Sequence, residues 1–492
     1  MELPDFDRFE LNPQLGLQAS LREQITLWIC QGRLSPGTQL PASRVLASQL
    51  GISRNTVVQV IDQLKSEGYL QSFQGKGVFV SPQIQVDLHD LPRPISPVRL
   101  NAPQSLRMKA LLPSVSSPDF EAPTSPPFTL GMPDLGAFPH KIWASLVHRN
   151  SRRRALMGYD HPAGHPPLRE AIAEYLSLSR GVRCHKDQIL ITQGAQQALF
   201  LCAWALLNAG DCVAMENPGY RRARSVFELT QAQLMPVATS QEGMNIPALM
   251  AQCRRQNRWP KMLYTTPTHQ YPLGGVMPAC DRMQLLHWAS ENGVWIIEDD
   301  YDSEFHFINK PVAAMQGMAE GTPVIYMGSF SKTLFPSLRL GYLVLPEGMM
   351  EAFCQAKNLI TSDSPLLTQA VTAEFMMEGH FTRHLRRMRQ LYCEKWMDFT
   401  ALIDEHLTED FPRIGQSAGM HLVIGTPGRN DIQLIQALRQ EGFGGAPLSQ
   451  YYLADTAHPK SALVLGFAHS SSQDRQRIIR FLREQTDASA RA

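Results

Sequence analysis

Residues 327–342 read MGSFSKTLFPSLRLGY and place Lys332 between Ser329 and Arg339. Apolar residues at both ends of this stretch predict strands, so the polar side chains lie where one strand ends. The serine precedes the lysine by three residues and the arginine follows it by seven. A hydroxyl and a guanidinium at this spacing can hold an anionic group while the lysine amine reaches a neighbouring carbonyl carbon. The stretch therefore predicts a reactive lysine at the end of a strand.

The pattern S-x-x-K, here Ser329 to Lys332, also fits a serine acyl-enzyme or an exposed lysine without a role. The S-D-N and K-T-G motifs that accompany the pattern in acyl-enzymes are absent from the sequence. The flanking arginine and the LGY strand favour a lysine that forms a Schiff base.

Upstream, GVWIIEDDYDSEF (293–305) is a buried strand that ends in acidic residues and a tyrosine. Asp299 and Tyr301 are two positions apart, so both side chains can point to one face at the strand's end. An acidic loop and a divalent-metal site are the alternatives. No His-rich set accompanies the acids in the sequence, so the metal interpretation lacks support.

Three further strand ends carry polar groups. DQILITQGAQQAL (187–199) is a strand, a short turn and a helix start whose backbone N–H groups can bind an anion, although alone it fits any β-α turn. ENPGY (216–220) and TTPTHQYPLGG (265–275) follow two other strands. The candidate residues of these stretches and their neighbours are Gly194, Ala195, Gln196, Tyr220, Arg222, His269 and Tyr271.

Helical patterns alternate with short apolar strands between residues 128 and 485; the strands include DQILIT, DCVAME, KMLYTT, GVWIIEDD, PVIYMGS and LGYLVL. Strands separated by helices predict β-α-β units and a mostly parallel sheet. Ligands of such sheets bind beyond the carboxyl ends of the strands, where the motifs lie. Pyridoxal 5′-phosphate (PLP) requires a lysine, a carboxylate, an aromatic ring, a hydroxyl and an anion-binding turn. The motifs contain a candidate for each.

The N-terminal region, residues 12–81, predicts three short helices and a hairpin. The first helix, ASLREQITLWICQGRL, has apolar residues at Leu21, Ile25, Leu27 and Trp28. ASRVLASQL is the second helix. Ser53 caps the third, SRNTVVQVIDQLKSEG, which buries Val57, Ile61 and Leu64. GYLQSFQGKGVFV closes the region as a hairpin with a glycine-rich tip.

This pattern predicts a helix-turn-helix with a wing. The residues at the helix starts and the wing tip that are candidates for contact with DNA are Arg44, Ser53, Arg54, Asn55, Thr56 and Lys76. A small helical domain for protein contacts is the alternative, and the net charge of +3 over residues 11–80 does not exclude it. However, residues 32–80 closely resemble the GntR-type winged helix-turn-helix. That resemblance implies an α+β domain and a dimer that binds double-stranded operator DNA at paired half-sites.

The motifs of residues 128–485 resemble a fold-type I aminotransferase, an α/β PLP-dependent fold with a mostly parallel sheet. Joined to the N-terminal domain, the chain is similar to the MocR subfamily of GntR-type transcription regulators. The resemblance makes Lys332 the aldimine lysine, Asp299 the partner of the pyridinium nitrogen, Tyr301 the partner of the phenolic oxygen and Tyr220 the stacking ring. It assigns phosphate binding to Ser329, Ser331, Arg339, Gly194, Ala195 and Gln196. Arg222, His269 and Tyr271 are the expected effector-binding residues. A head-to-tail homodimer is also implied.

The sequence departs from the aminotransferase pattern at SALVLGFAHSS (461–471). Aminotransferases carry an arginine beside the last strand, which clamps the substrate carboxylate. Ala462 to Val464 occupy that place here. Tyr271 likewise lies near the position of an asparagine in many aminotransferases. The missing arginine puts efficient amino-acid transamination in doubt, and Arg222 or a residue from elsewhere is the candidate to replace it.

Three functions compete on this evidence. The first is a regulator that responds to PLP, or to an amine or amino acid that forms an aldimine with it. The second is an active PLP-dependent aminotransferase with an accessory DNA-binding head. The third is a DNA-binding protein whose large domain is a ligand-free dimerisation scaffold. The missing arginine disfavours the second, which leaves at most residual transaminase activity, and the complete set of cofactor residues disfavours the third.

Length and composition fit this organisation. At 492 residues, two or more domains are expected. Residues 82–127 hold ten of the 35 prolines and predict a semi-extended linker, which leaves a DNA-binding domain at 12–81 and a PLP-binding domain at 128–485. The eight cysteines are scattered, with no C-x-x-C pair. Free thiols, the absence of a signal-peptide pattern and the absence of a spanning apolar run predict a cytoplasmic protein.

Overall fold

The computed structural model describes residues 16–82 and 125–490, except for short gaps at 241, 308–311, 319–320, 322, 363, 408, 416–418, 454–455 and 457–458. The chain divides into two compact units, Met1–Pro103 and Gln104–Ala492. The expected proline-rich linker, residues 82–127, lies outside the described residues apart from its two ends.

The described part of the first unit, residues 16–82, contains three helices and a hairpin. Helices α1 (Leu17–Cys30), α2 (Ser43–Gln49) and α3 (Arg54–Ser66) precede strands β1 (Leu70–Phe73) and β2 (Gly77–Val80). The two strands pair antiparallel. This is the element order of the expected winged helix-turn-helix.

Helix α1 packs one face into the core of this unit. Leu21, Ile25 and Trp28 are buried because spacings of four and three residues place them on one side of the helix. Leu27 is 44% exposed. Leu27 precedes Trp28 by one residue and therefore lies about 100° around the helix from it.

Helix α3 begins at the cap that the sequence predicted. Ser53 Oγ accepts a hydrogen bond from the backbone N–H of Thr56 at 3.1 Å. This bond satisfies one of the N–H groups that have no partner within the helix. Val57, Ile61 and Leu64 are buried, as expected.

A large sheet forms the centre of the second unit. Its strands are β3 (Ile189–Thr192), β4 (Cys212–Asn217), β5 (Gln233–Ser240), β6 (Gly243–Met244), β7 (Met262–Thr265), β8 (Trp295–Asp300), β9 (Val324–Ser329) and β10 (Gly341–Val344). Their order is β3-β10-β9-β8-β7-β4-β5-β6. Strands β5, β4, β7, β8 and β9 are parallel, whereas β10 is antiparallel to β9 and β3, and β6 is antiparallel to β5. The six strands predicted from sequence are present, and the sheet is mostly parallel as expected.

Helices connect and cover these strands. They are α4 (His140–Ser151), α5 (Pro166–Arg180), α6 (Ala195–Leu206), α7 (Arg221–Leu229), α8 (Ile246–Gln256), α9 (Ala279–Asn292), α10 (Met315–Met318), α11 (Met350–Thr361), α12 (Leu366–Met377), α13 (His380–His406), α14 (Asp431–Gln440) and α15 (Ser472–Ala490). Strands β3, β7 and β10 are buried at every position, which is typical of a sheet covered on both faces.

A smaller antiparallel sheet completes the unit. Its strands are β11 (Arg413–Ile414), β12 (His421–Gly425), β13 (Ala446–Pro447) and β14 (Ala462–Gly466), in the order β11-β12-β14-β13.

The entry segment, residues 125–131, lies against this smaller sheet. Gly466 donates its backbone N–H to the carbonyl of Phe128 at 3.0 Å, and Gly444 donates to Pro127 at 2.6 Å. A Cβ on Gly466 would lie 2.4 Å from the carbonyl oxygen of Thr129, so the close approach of the two backbones requires glycine there. The entry segment is therefore fixed to the last strand of the sheet.

The parallel strands bring the predicted motifs to one edge of the large sheet. Strands β4, β7, β8 and β9 all end there, and ligands of such folds bind at this edge. None of the helices in the described part of the chain is long and apolar enough to cross a membrane.

Candidate functional site

Lys332 lies just beyond β9, and its side chain is largely enclosed. Its Nζ donates a hydrogen bond to the carbonyl oxygen of Gly131 at 3.0 Å. Burial lowers the pKa of Lys332 to about 8; nearby Asp302 and Asp299 oppose that shift, and Arg222 adds to it. About a tenth of the amine is therefore neutral, and hence nucleophilic, at pH ~7.

Gly131 shapes the space that holds this amine. Its backbone has a φ of +69°, and a Cβ built on it would lie only 1.5 Å from Lys332 Nζ. Any other residue would displace the lysine head group. The entry segment thus delivers a carbonyl acceptor to the lysine, and glycine makes that approach possible.

Asp299, the second residue from the end of β8, carries a buried carboxyl group. Tyr264 donates its hydroxyl to Asp299 Oδ2 at 2.6 Å. Burial raises the pKa of Asp299 to about 7; the Tyr264 bond opposes this, while Asp300 and Glu216 add to it. Asp299 forms no ion pair with any described residue. A buried carboxyl in this state would be stabilised as a carboxylate by a cation placed beside it.

Tyr301 presents a buried hydroxyl that has no hydrogen-bond partner among the described residues. Burial raises its pKa well above the ordinary value. An unpaired buried hydroxyl costs free energy, on the order of 1–3 kcal/mol. A ligand oxygen at this place would remove that cost.

Aromatic rings surround Tyr271 at the same edge of the sheet. The ring centroids of Tyr220, Tyr301, His421 and Tyr451 lie 5.3–5.5 Å from that of Tyr271, all in edge-to-face or nearly perpendicular arrangements. The hydroxyls of Tyr271 and Tyr451 are 3.3 Å apart. Tyr271 therefore belongs to the wall of the site, next to the expected stacking ring Tyr220.

The predicted anion-binding groups also meet. Gly194 has a φ of +89° and begins helix α6, so the first amides of that helix point outward from its N-terminus. Arg339 Nη2 donates to the carbonyl of Gln193 at 3.0 Å, which places its guanidinium beside the turn. Ser331 donates its backbone N–H to Ser329 Oγ at 3.2 Å. The turn, the arginine and the two serines form one polar cradle.

The proposed effector residues are divided between the interior and the surface. His269 is buried and its Nδ1 lies 2.7 Å from Asp302 Oδ1. Asp302 is enclosed in turn, since a Cβ on Gly419 would lie 2.0 Å from its Oδ2. Arg222 is exposed, yet it lies near enough to Lys332 to lower the pKa of that amine.

The other two acids at the end of β8, Glu298 and Asp300, have structural partners. Arg180 Nε donates to Asp300 Oδ2 at 2.8 Å, and Tyr326 donates to the same oxygen at 2.6 Å. Glu298 accepts the backbone N–H groups of Met315 and Gln316. Within the described residues, no group of His, Cys, Asp and Glu is arranged to hold a metal ion. The acidic run therefore stabilises the fold and leaves Asp299 available.

Sequence reasoning missed several residues of the site. Gly131 and Tyr264 contact the lysine and the aspartate, and Tyr451 and His421 complete the aromatic wall. The one signal for Tyr264 is its place at a strand end, whereas Gly131 precedes Lys332 by 201 residues without a motif.

The stretch that lacks the carboxylate-binding arginine is strand β14. Ala462 to Val464 are buried, and the backbone N–H of Ala462 donates to Asp431 Oδ2 at 3.2 Å. Val464 pairs with Val423 across the sheet. These three positions of β14 therefore offer no cationic group to a carboxylate.

The first unit presents the expected DNA-contact residues on its surface. Arg44, Arg54, Asn55 and Lys76 are exposed. Arg54 Nε donates to Ser43 Oγ at 3.4 Å, a contact between the starts of α3 and α2.

The wing is also held in place. Gln39 donates to the carbonyl of Lys76 at 2.7 Å, which fixes the wing tip. The partly buried Thr56 hydroxyl lies 2.8 Å from Ser53 Oγ.

Comparison with known proteins identifies both units. The model of aminotransferase class I and II matches residues 133–481, and that of the bacterial regulatory proteins of the gntR family matches residues 17–80. The probable rhizopine catabolism regulatory protein MocR of Rhizobium meliloti is 37% identical over 92% of this chain and 90% of its own. PdxR of Corynebacterium glutamicum, an HTH-type pyridoxine biosynthesis transcriptional regulator, is 29% identical over 97% of each chain. A 2-aminoadipate transaminase of Thermus thermophilus is 32% identical over 61% of this chain and 75% of its own.

Solved structures agree with the fold of the second unit. Kynurenine aminotransferase of Pyrococcus horikoshii, in complex with PMP, has a TM-score of 0.69 at 26% identity and covers 82% of this chain and 100% of its own. LysN, the alpha-aminoadipate aminotransferase of Thermus thermophilus, complexed with N-(5′-phosphopyridoxyl)-L-leucine, has a TM-score of 0.67 at 28% identity and covers 77% and 94%. The second unit therefore has the fold-type I aminotransferase fold. The chain belongs to the MocR subfamily of GntR-type transcription regulators, in which a DNA-binding winged helix-turn-helix is fused to an aminotransferase-like domain.

Proposed function

We propose that this regulator holds PLP on Lys332 and changes its DNA binding when PLP, or an amine or amino acid that reacts with PLP, occupies the site. The observation that carries the proposal is the convergence of Lys332, Asp299 and Tyr301. Each is a buried polar group that lacks a partner which the cofactor would supply. Lys332 lacks an electrophile, Asp299 lacks a cation and Tyr301 lacks a ligand oxygen.

The other polar groups fit the remaining parts of PLP. The Tyr220 ring would cover the pyridine face, and the polar cradle would bind the phosphate. The phosphate-binding residues would be Ser329, Ser331, Arg339, Gly194, Ala195 and Gln196. When bound, PLP supplies a carbonyl carbon that links reversibly to amines.

The chain's own groups set the conditions for that link. The Gly131 carbonyl orients the Lys332 amine, and burial keeps part of that amine neutral. Asp299, which Tyr264 holds in place, would keep a proton on the pyridine nitrogen when PLP is bound. Tyr301 would donate to the phenolic oxygen. Arg222, His269 and Tyr271 are the candidates for contact with an effector, of which Arg222 is the one at the surface.

The sequence of strand β14 favours a sensing function over catalysis. An aminotransferase gains much of its specificity from a bidentate arginine on the substrate carboxylate, and Ala462 to Val464 stand in its place. Similarity to the Thermus 2-aminoadipate transaminase is the observation in favour of a second candidate, residual transaminase activity. Turnover of amino acids with 2-oxo acids at rates on the order of 1–10³ s⁻¹ would favour this second function.

For the DNA side, we propose contacts from Arg44, Ser53, Arg54, Asn55, Thr56 and Lys76 to operator DNA with paired half-sites. A head-to-tail homodimer would present two heads, one for each half-site. The cofactor changes DNA affinity only if it binds two arrangements of the dimer with different affinity.

The proposal includes three domains and a location. We assign residues 12–81 to DNA binding, 82–127 to a linker and 128–485 to the aminotransferase-like domain. The eight cysteines of this chain are free thiols, and we expect this gene regulator to act in the cytoplasm.

The first experiment is a PLP titration of the full chain. We expect a visible absorbance band that is absent in Lys332→Ala and present in Lys261→Ala, an exposed lysine in the same unit. If the wild-type chain shows no such band, the cofactor assignment is wrong. Footprinting on the DNA upstream of its own gene, with and without PLP, then tests regulation. Identical footprints and affinities in both conditions would contradict a response to PLP.

A further inference from the structure

Two stretches of the second unit carry cations and no carboxylates. Residues 135–159 contain five Lys or Arg and residues 379–393 contain four, while neither contains Asp or Glu. The whole chain has 46 Lys and Arg against 45 Asp and Glu. Such a local excess cannot come from a generally basic composition, so these stretches have a charge pattern of their own.

The fold joins these two stretches into one surface. At the end of α4, Arg149 donates to Glu378, which lies between α12 and α13. Arg383, in the first turn of α13, donates to the backbone carbonyl of Glu378 at 2.9 Å. Arg387, one turn further on, donates to the carbonyl of Ala137, just before α4 begins. Both ends of α4 therefore meet the start of α13.

We name this surface the basic face; its cations are Lys141, Arg149, Arg152, Arg153, Arg383, Arg386 and Arg387. Two carboxylates, Glu374 and Glu378, lie at its centre and pair with Arg149 and Arg153. Those two acids do not balance seven cations.

Three cations of the basic face have no partner in the described part of the chain. Lys141 of α4 and Arg152, directly after the helix, lie on one exposed side, because they are eleven residues, or about three turns, apart. Arg386 is an exposed residue of α13 and lies about 100° around the helix from the buried Leu385. An exposed guanidinium or ammonium without a partner keeps all its donors for an external anion.

We propose that the basic face binds the phosphate backbone of the duplex that flanks the operator, as a second and sequence-independent DNA contact. The proposal rests on DNA binding by the winged head. Helix α4 is about 18 Å long, which matches about five base pairs of duplex at 3.4 Å each. Arginine is the side chain best suited to phosphate oxygens. DNA held by the head is also present at high effective concentration, which an independent acidic partner is not.

The test measures the salt dependence of DNA binding by the full chain. The probes are the footprinted core of the upstream DNA, alone and with about two helical turns of flanking duplex on each side. The variant Lys141→Gln/Arg152→Gln/Arg386→Gln removes three charges. Because each phosphate contact contributes about 0.9 to the log–log salt slope, its slope on the long probe should be shallower by about 2–3. Between 50 and 200 mM salt, the wild-type chain should lose about 40-fold more affinity than the variant.

A matched control removes three exposed cations elsewhere in the same unit, in Arg254→Gln/Arg255→Gln/Arg439→Gln. The control should keep the wild-type slope, and both triple variants should keep the wild-type affinity for the core probe. The inference is overturned if the basic-face variant keeps the wild-type slope on the long probe, which is also the result expected if the face binds an acidic protein instead. The proposed function fails separately, if the wild-type chain binds neither probe.

Discussion

Gly131→Ala is the sharpest test of how the reactive lysine is held. A Cβ at this position would lie 1.5 Å from Lys332 Nζ. Since nonbonded atoms need about 3.5 Å, the amine must retreat by about 2 Å. The end of a lysine side chain can move without disturbing the core, so the fold should survive. What is lost is the 3.0 Å hydrogen bond to the Gly131 carbonyl. Because the displaced amine must return toward its original place to reach PLP, at a cost of about 1 kcal/mol, PLP affinity should fall about fivefold.

The backbone also contributes to the effect, and a control separates this contribution. Alanine at a φ of +69° costs about 1–2 kcal/mol of stability. Gly293 has a φ of +64°, and no atom lies within 4 Å of the Cβ it would carry. Gly293→Ala therefore imposes the same backbone cost without the clash.

The assay combines unfolding with PLP titration for both variants. We expect equal losses of stability in urea, and a dissociation constant for PLP that rises about fivefold or more only in Gly131→Ala. If Gly131→Ala binds PLP as tightly as Gly293→Ala does, the carbonyl of Gly131 does not position the amine, and the reasoning is refuted.

Two further predictions concern the lysine and the DNA-binding unit. Because burial lowers the pKa of Lys332 to about 8 and only the neutral amine attacks, PLP attachment should speed up about tenfold per pH unit below pH 8 and level off above it. Stopped-flow absorbance measures this, and a rate that still rises near pH ~10 contradicts the lowered pKa. Ser53→Ala removes the cap of α3 and should destabilise that helix by about 1 kcal/mol. We expect faster amide hydrogen exchange over residues 54–66 in Ser53→Ala than in the control variant Ser66→Ala. Equal exchange in the two variants would show that the cap has no effect.

Much of the fold was predictable because it is encoded locally. The six strands around the site are short apolar runs, and the Ser53 cap and the spacing of Val57, Ile61 and Leu64 specify α3. Apolar composition alone does not determine burial in α1, where Leu27 lies beside the buried stripe and is exposed. The antiparallel direction of β10 was also not predictable, since an apolar run carries no signal for strand direction.

The site was predictable only where its residues form motifs. Lys332 and Asp299 stand in short stretches with polar neighbours, so their chemistry could be inferred. Tyr264 reaches Asp299 from a strand 35 residues earlier, and Gly131 reaches Lys332 across 201 residues. Contacts at these separations are set by the order of strands in the sheet and by the path of the entry segment. A single sequence does not contain that information.

The entry segment has a mechanical consequence. It is the first described part of the chain after the proline-rich stretch, and within seven residues it is bonded to Gly466 on the small sheet and to Lys332. Tension applied to the chain ahead of residue 125 would be borne first by the backbone bonds at Pro127 and Phe128. As long as those bonds hold, the tension does not reach Lys332. If those bonds break, the force acts next on the Gly131 carbonyl, which accepts the hydrogen bond of the Lys332 amine. Tension on the chain would then displace the amine that the cofactor needs.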